Sequence, residues 1–365
     1  MNSKDRVKTA LSLNEPDRVP IFATLTNPVA EKVGEYLSLN TSVKPAFLAD
    51  RVSHTEILLE LGNDCVGISA SYPTDNPIEE IDEGRRRDEW GIIYERRGPY
   101  WEAVGRPLDD ISHEEDLLDY NLPSPDAPGR FRDARESARK YGDEYALVAS
   151  IECTMFELAW SLVGFDKFLT DLAIGKRYTR KLLDGVAEYN VECGKRLIEL
   201  GADLIWTGDD FGTQEGMLIS PDLWREVFKP RYEYVFAELK KKNEEIPVAY
   251  HSCGSIRPII DDLVEIGLDV LNPIQPLARN MDLAELKTEY GNELGFFGGV
   301  DIQRILPNGS PKDVRDEVKR CIKAAAEGGG YLLAPAHNIQ ADTPLRNIIE
   351  LFNSIKDFGS YPIVK

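Results

Sequence analysis

The sequence predicts an α/β fold, a (β/α)8 TIM barrel, and three observations carry that prediction. Eight short apolar runs rich in β-branched and aromatic residues recur along the chain, each followed by a turn signal and a stretch of helical periodicity. The runs are nearly continuous in hydrophobicity instead of alternating, as strands covered on both faces must be. No glycine-rich phosphate-binding fingerprint follows the first run, where TNPVAEKVG stands, and this disfavours the competing doubly wound open sheet.

The eight runs are VPIFATL (19–25), CVGIS (65–69), YALVASI (145–151), DLIWTG (203–208), PVAYHS (247–252), DVLNPI (269–274), LGFFGG (294–299) and YLLAPA (331–336). Between them the helices have their own signals. Ser220-Pro221 places an N-cap and a first-turn proline ahead of DLWREVFKPRYEYVFAELKKK, and RYTRKLLDGVAEYNVECGKRLIELG closes on Gly201. The stretch 70–143 breaks the rhythm, being too long for an ordinary loop between strand and helix. Within it DEWGIIYERRGPYWEAVGRPL alternates apolar and polar residues around Gly98-Pro99, which predicts an antiparallel hairpin. We read residues 1–365 as a single barrel domain, with 70–143 as a lid or interface insertion between the second and third strands. Trp90, Tyr94, Tyr100 and Trp101 are expected to serve sandwich packing before substrate stacking, with one or two of them left to line a lid, and the aromatic surface offers a face for a homodimer.

Composition narrows the partners. With 43 basic and 63 acidic residues the formal charge is -20, which argues against nucleic acid or an anionic membrane as a general partner. No run approaches 18 apolar residues and the first 20 residues lack an apolar signal core, so the expected location is the cytoplasm. The five cysteines, Cys65, Cys153, Cys193, Cys253 and Cys321, form no disulfide framework.

In such a barrel, chemistry comes from the C-terminal ends of strands and the loops after them. That rule selects Glu152, Asp209, Asp210, His251, Cys253, Asn272, Asp301, His337 and Asn338. Of the four histidines, His251 and His337 fall at these ends while His54 and His113 do not. In an extended segment residues i and i+2 face the same way, so His251 and Cys253 converge, and Gly254 lets the backbone turn at once. An imidazole and a thiolate aimed at one point are zinc ligands. His337 is the expected third ligand, with Glu152 and Asp210 behind it. Taken alone, a His-x-Cys pair is more often a small buried thiol beside a hydrogen-bonded ring; its position at a strand end favours the metal. Asp209, Asp210 and Gln214 lie in a loop with no evident helix to cap, since the next cap is Ser220, which opens substrate-binding or acid/base roles. Arg257 is expected to form a surface salt bridge.

Four segments, TGDDFGTQEGMLISPDLWREVFKPR, YHSCGSIRPIIDDLVEIGLDVLNPIQ, FFGGVDIQ and GGGYLLAPAHNIQADTP, resemble the uroporphyrinogen decarboxylase superfamily, and the likeness extends from EPDRVP to the C-terminus. That resemblance implies the barrel independently and offers two activities, porphyrinogen decarboxylation or corrinoid-dependent methyl transfer. The decarboxylases carry an arginine-rich segment after the first strand, whereas LTNPVAEKVGEYL has no arginine. The methyltransferase branch places zinc on a His-x-Cys pair, matched by His251 and Cys253, and on a later cysteine, where this chain has His337.

Within that branch, the changed third ligand and the long aromatic insertion favour a zinc-dependent methyltransferase of the O-demethylase type over one that methylates a thiol. Its expected substrate is a small methylated molecule, a methoxylated aromatic, and its acceptor the Co(I) corrinoid (cobalamin) of a partner protein. Asp209, Asp210 and His251 are the expected catalytic residues; Glu152, Gln214, Asn272, Asp301 and Asn338 are the expected substrate contacts. Alternatives are methyl transfer from a methylcorrinoid to a coenzyme M-type thiol, a metal-free decarboxylase, and a non-catalytic member of a corrinoid assembly.

Overall fold

A computed structural model describes residues 1–97 and 100–363. Seven strands, β1 (Cys65–Ser69), β6 (Ala146–Ser150), β7 (Leu204–Gly208), β8 (Val248–His251), β9 (Val270–Ile274), β10 (Gly295–Val300) and β11 (Tyr331–Pro335), form one parallel sheet in that order. They fall on the second to eighth predicted runs. A dozen or more residues separate each pair, as parallel neighbours require.

The first run, 19–25, is not a continuous strand. Its Ile21 and Leu25 make isolated parallel bridges with Leu333 and Ile339, and Phe22 N and Pro20 O bond to Leu333 at 3.1 and 3.0 Å. On the other side Asp64 N reaches Ile21 O, but the next rung is made by a side chain, Asn63, whose amide exchanges two 2.9 Å bonds with Ala23 N and O. Pro20 has no N–H to give a ladder, and a side-chain amide replaces one rung, so the segment runs beside both edge strands without regular pairing.

The concave face of the sheet encloses an apolar cluster to which Phe22 and every one of the seven strands contribute, from Cys65 to Ala334. Phe22, Trp206 and Phe297 meet with ring centroids 4.9–5.9 Å apart. Val7 and Leu11 of the N-terminal helix Ser3–Leu11 join the same cluster. The EPDRVP segment serves this region: buried Asp64 takes Arg6 and Arg18 at 2.7 and 2.8 Å and also accepts Ile21 N. A larger apolar layer packs helices on the outside.

The helix signals hold locally. Ser220 Oγ accepts Leu223 N, and Pro221 opens helix Pro221–Val227. The chain breaks at Phe228 and resumes as Lys229–Lys242, because Pro230 suits a first turn and not a helix interior. Helix Arg177–Glu199 ends before Gly201, whose φ of 93° glycine adopts without steric cost.

The insertion is larger than a hairpin. The predicted pair is present as β4 (Ile93–Arg97) and β5 (Tyr100–Gly105), and β2 (Glu79–Asp82) and β3 (Arg85–Arg87) extend it to a four-stranded antiparallel meander. The Gly98-Pro99 turn and the side chain of Tyr100 lie outside the described residues. Trp90 is buried edge-on to Tyr189 at 4.8 Å, Tyr94 bonds Asp88, and Arg86 covers Trp101. Among the described residues no helix is long and apolar enough to cross a membrane.

Candidate metal and active site

The C-terminal ends of the strands bring the predicted residues to one side of the sheet. His251 is the last residue of β8, in register with Gly208 of β7 and Asn272 of β9. Gly254 turns the chain immediately after Cys253 with φ of 74°, and a Cβ there would lie 2.5 Å from the Gly212 backbone. The i, i+2 geometry behaves as expected: Cys253 Sγ is 3.6 Å from His251 Nε2.

The third group of this cluster is Asp210. Its Oδ1 lies 3.4 Å from His251 Nε2 and accepts Cys253 N at 2.7 Å. Ligand atoms of Asp210, His251 and Cys253 lie within 4.8 Å of one another. A tetrahedral zinc ion with ordinary bond lengths needs a nitrogen–sulfur separation of about 3.6 Å and a nitrogen–oxygen separation of about 3.3 Å, so the two distances from Nε2 fit. His337, the third ligand expected from the sequence, faces the same space with its ring centroid 6.5 Å from that of His251. Burial, with help from Arg51 and His251, pushes the His337 imidazole down to about 4, which keeps it neutral and able to ligate.

Asn272 fixes the orientation of His251. Its Nδ2 donates to Phe297 O at 2.9 Å, so its Oδ1 faces the other way and accepts both Trp206 Nε1 and His251 Nδ1, at 3.0 and 2.6 Å. The proton of the neutral ring is thereby held on Nδ1 and the lone pair of Nε2 points at Cys253 and Asp210. Locking the far nitrogen in this way is how proteins orient metal-binding histidines.

The electrostatics call for a cation at the same point. Burial opposes a charged His251, yet Glu152, Cys253 and Asp210 together hold it protonated well above its ordinary range. Burial likewise pushes the Cys253 thiol up despite His251. For Asp210, burial is outweighed by His251 and by donation from Cys253, and its carboxyl stays below the usual range. A metal ion would meet the same demand for positive charge and let the thiol ionise.

Other expected site residues have different work. Asp209 is fully buried, and its carboxylate accepts Met155 N, Glu157 N and the Tyr232 hydroxyl. It therefore caps helix Phe156–Val163, contrary to the expectation that this loop had no capping duty; the helix it caps lies about 50 residues earlier. Asp301 accepts Gln303 N and Arg304 N in its own turn. Gln214 bonds Gln275, whose Oε1 also accepts Gly254 N, so it steadies the turn after Cys253. Arg257 pairs with Glu289 and Tyr290, the surface role expected of it.

Glu152 and Asn338 meet through Arg51, a residue that no sequence signal singles out. Arg51 bonds Glu152 twice at 2.9 Å and Asn338 Oδ1 at 2.7 Å, and its guanidinium covers Trp206 at 4.4 Å. It comes from a single helical turn, Ala49–Arg51, before β1, away from any strand end. Glu157 was missed too. Burial, then Asp210 and Asp209, pushes its carboxyl up to about 8, and its Oε2 accepts Asp210 N. Its place in the first turn of a helix after β6 was the available signal.

Arg51, Trp206, His251, Asn272, Phe297 and His337 are among the residues lining a small cavity of about 10 Å³. A second cavity of about 60 Å³ lies beyond Glu152, beneath the insertion.

Comparison with known proteins gives concordant relatives. The Uroporphyrinogen decarboxylase (URO-D) family matches residues 92–358. A methylcobamide:CoM methyltransferase of Methanosarcina barkeri is 25% identical over 241 residues, 66% of this chain and 66% of that protein. A methylated-thiol–coenzyme M methyltransferase of Methanosarcina mazei is 20% identical over 224 residues, 61% of this chain and 57% of that protein. The chain thus spans under two thirds of the length of these curated relatives. A solved structure, a methyltransferase from Methanosarcina mazei, shares the fold with a TM-score of 0.72 at 21% identity, over 98% of this chain and 99% of that one.

Proposed function

This chain belongs to the uroporphyrinogen decarboxylase family, and we propose that it is a corrinoid-dependent methyltransferase with zinc held at His251 and Cys253. The observation that carries this reading is the arrangement of Cys253 Sγ and Asp210 Oδ1 about His251 Nε2, at 3.6 and 3.4 Å, with Asn272 holding the opposite nitrogen. Asp210 is the third ligand and His337 stands ready as the fourth. In this reading the segment 19–25 completes a (β/α)8 barrel, residues 1–365 form one domain, and 70–143 is its lid or subunit interface.

The substrate is a small methylated molecule, a methoxylated aromatic, and the methyl group passes to the Co(I) corrinoid of a partner protein. Zinc, when bound, supplies a Lewis acid for the oxygen or sulfur that carries or receives the methyl group. The chain's own residues do the rest. Asn272 and Trp206 hold His251 in one tautomer, Arg51 fixes Glu152 and Asn338, and the aromatic floor of Phe22, Trp206 and Phe297 excludes water. Glu157, raised to about 8, keeps a proton near neutral pH beside ionised Asp210, which suits it to protonate a departing oxide better than either aspartate. Holding the partners in line is worth several kcal/mol, roughly 7–11 in favourable cases.

The names of the relatives favour a second reading, methyl transfer from a methylcorrinoid to a coenzyme M-type thiol. Decarboxylation of a porphyrinogen is disfavoured, because the segment after the first run has no arginine and Arg51 is already committed to Glu152. The test pairs two assays, demethylation of methoxylated aromatics with a reduced corrinoid protein and methylcobalamin with coenzyme M. Each is run on the wild type and on His251→Ala and Cys253→Ala, with zinc content measured. Turnover in the first assay with loss of zinc and activity in both variants is expected; full activity in a zinc-free variant overturns the proposal.

A further inference from the structure

We propose that an arginine-lined groove on the outer flank of the fold binds a small anion carrying two or more linked phosphate groups. The groove shares no residue with the His251–Cys253 cluster and does not depend on the methyl-transfer reading. It holds about 720 Å³, within the range of small-molecule pockets. Three parts of the chain wall it: the loop 126–131, helix Arg132–Tyr141, and Arg196 from helix Arg177–Glu199.

The charge on these walls is arranged for an anion. Arg132, Arg135 and Arg139 follow one another at intervals of three and four residues, so they share one face of their helix. All three are exposed and line the groove. Like charges at this spacing repel, and a chain of formal charge -20 has acidic side chains in plenty to relieve them. Yet among the described residues neither the Arg135 nor the Arg139 guanidinium makes an ion pair or a hydrogen bond, and Arg132 reaches only Asp133, at 3.7 Å. Two acidic side chains share the walls. Asp126 is taken by Arg196 at 3.1 Å, and Glu136 forms no ion pair among the described residues.

The floor is preformed. Arg130, 2% exposed, donates to Ser71 O and Ser124 O and holds Glu89. Pro128 O accepts Thr74 N and Oγ1 at 2.9 and 3.1 Å. Gly129, with φ of 79°, lies so close to Thr74 that a Cβ there would stand 2.5 Å from its side chain. The loop is thus fixed before a ligand arrives, which limits the ordering cost of binding.

Chemistry and spacing define the ligand. Guanidinium forks match phosphate oxygens two at a time. Along the helix axis the three arginines are rooted about 4.5 and 6 Å apart, which suits a row of linked phosphates better than a single one. A long polyanion such as nucleic acid would run from the groove onto the acidic remainder of the surface and be repelled, so the ligand is small. Pro128 and the half-buried Phe131 give an apolar flank for whatever the phosphates are attached to.

The experiment is calorimetric titration of the intact chain, at low ionic strength and without magnesium, with tripolyphosphate, ATP, inorganic phosphate and hexaglutamate. Tripolyphosphate and ATP are expected to bind. Arg135→Ala/Arg139→Ala should weaken both at least about tenfold, through loss of two charge-assisted contacts, with the unfolding midpoint unchanged. Arg135→Lys/Arg139→Lys keeps the charge without the fork and should lose less. Raising salt to about 0.5 M should weaken wild-type binding. Tighter binding of ATP than of tripolyphosphate assigns the apolar flank to a nucleoside; equal binding assigns recognition to the phosphates alone. Absence of polyphosphate binding overturns the site, as does binding that the alanine variant leaves unchanged, which places the anion at the metal cluster or elsewhere. Equal, variant-sensitive binding of hexaglutamate makes the groove a dock for an acidic protein segment and overturns the phosphate selection. Equal affinity for inorganic phosphate overturns the requirement for linked groups.

Discussion

Asn272→Leu should loosen metal binding without touching a ligand. The amide oxygen accepts His251 Nδ1 at 2.6 Å and Trp206 Nε1 at 3.0 Å, while the amide nitrogen donates to Phe297 O. Leucine fills a similar volume but accepts nothing. The His251 ring then loses the bond that keeps its proton on Nδ1, and either nitrogen can face Cys253 and Asp210. Outer partners of metal-binding histidines are worth about 10–100-fold in metal affinity, or about 1.4–2.7 kcal/mol. Trp206 N–H is also left buried without an acceptor, at a cost of about 1–3 kcal/mol in stability. Asn272→Asp is the control: it keeps the acceptor and strengthens it with charge, so zinc affinity should stay near that of the wild type. Competition against a chromophoric chelator measures both. Wild-type zinc affinity in Asn272→Leu, in a protein whose unfolding midpoint has dropped, would show that Asn272 supports the fold alone and refute the orientation argument.

Three further outcomes are expected. Arg51→Met leaves Glu152 buried without its cation and should destabilise the protein by about 3–5 kcal/mol in urea unfolding, with much of the loss restored in Arg51→Met/Glu152→Gln. Asp209→Ala should cost about 2–3 kcal/mol, from the lost cap on helix Phe156–Val163 and the stranded Tyr232 hydroxyl, while zinc content stays at the wild-type level. Burial pushes the His54 imidazole down to about 4, with Nε2 bonded to Asn27 and Nδ1 unpartnered. Its folded-state value is depressed, so the unfolded chain binds the proton first: stability is intact above about pH 6.5 and is lost as pH falls towards 4, by up to about 3 kcal/mol. His54→Gln should flatten that part of the stability profile, and an unchanged slope would refute the assignment.

The sequence by itself determined the features that depend on near neighbours. Seven of the eight apolar runs are parallel strands because continuous burial is written in the strand itself. His251 and Cys253 converge because alternation in an extended segment fixes i and i+2 to one side, and Gly254 provides the turn that exposes them. The Ser220 cap and the hairpin of the insertion are local for the same reason.

Tertiary structure decided what depends on residues far apart in the chain. Asp209 looked free because the helix it caps lies on the preceding strand–helix unit. Arg51 gave no signal because a lone arginine in a short turn gains meaning only when Glu152, Asn338 and Trp206, 101 to 287 residues away, close around it. The run 19–25 reads as a strand, yet whether it pairs regularly is set by its neighbours, and Asn63 supplies a side chain where a backbone rung would stand. The choice between Asp210 and His337 beside His251 and Cys253 is a matter of a few ångströms between separate loops. Hydrophobic periodicity encodes which residues face inward, but it carries no information about distances between loops, and those distances set the metal site.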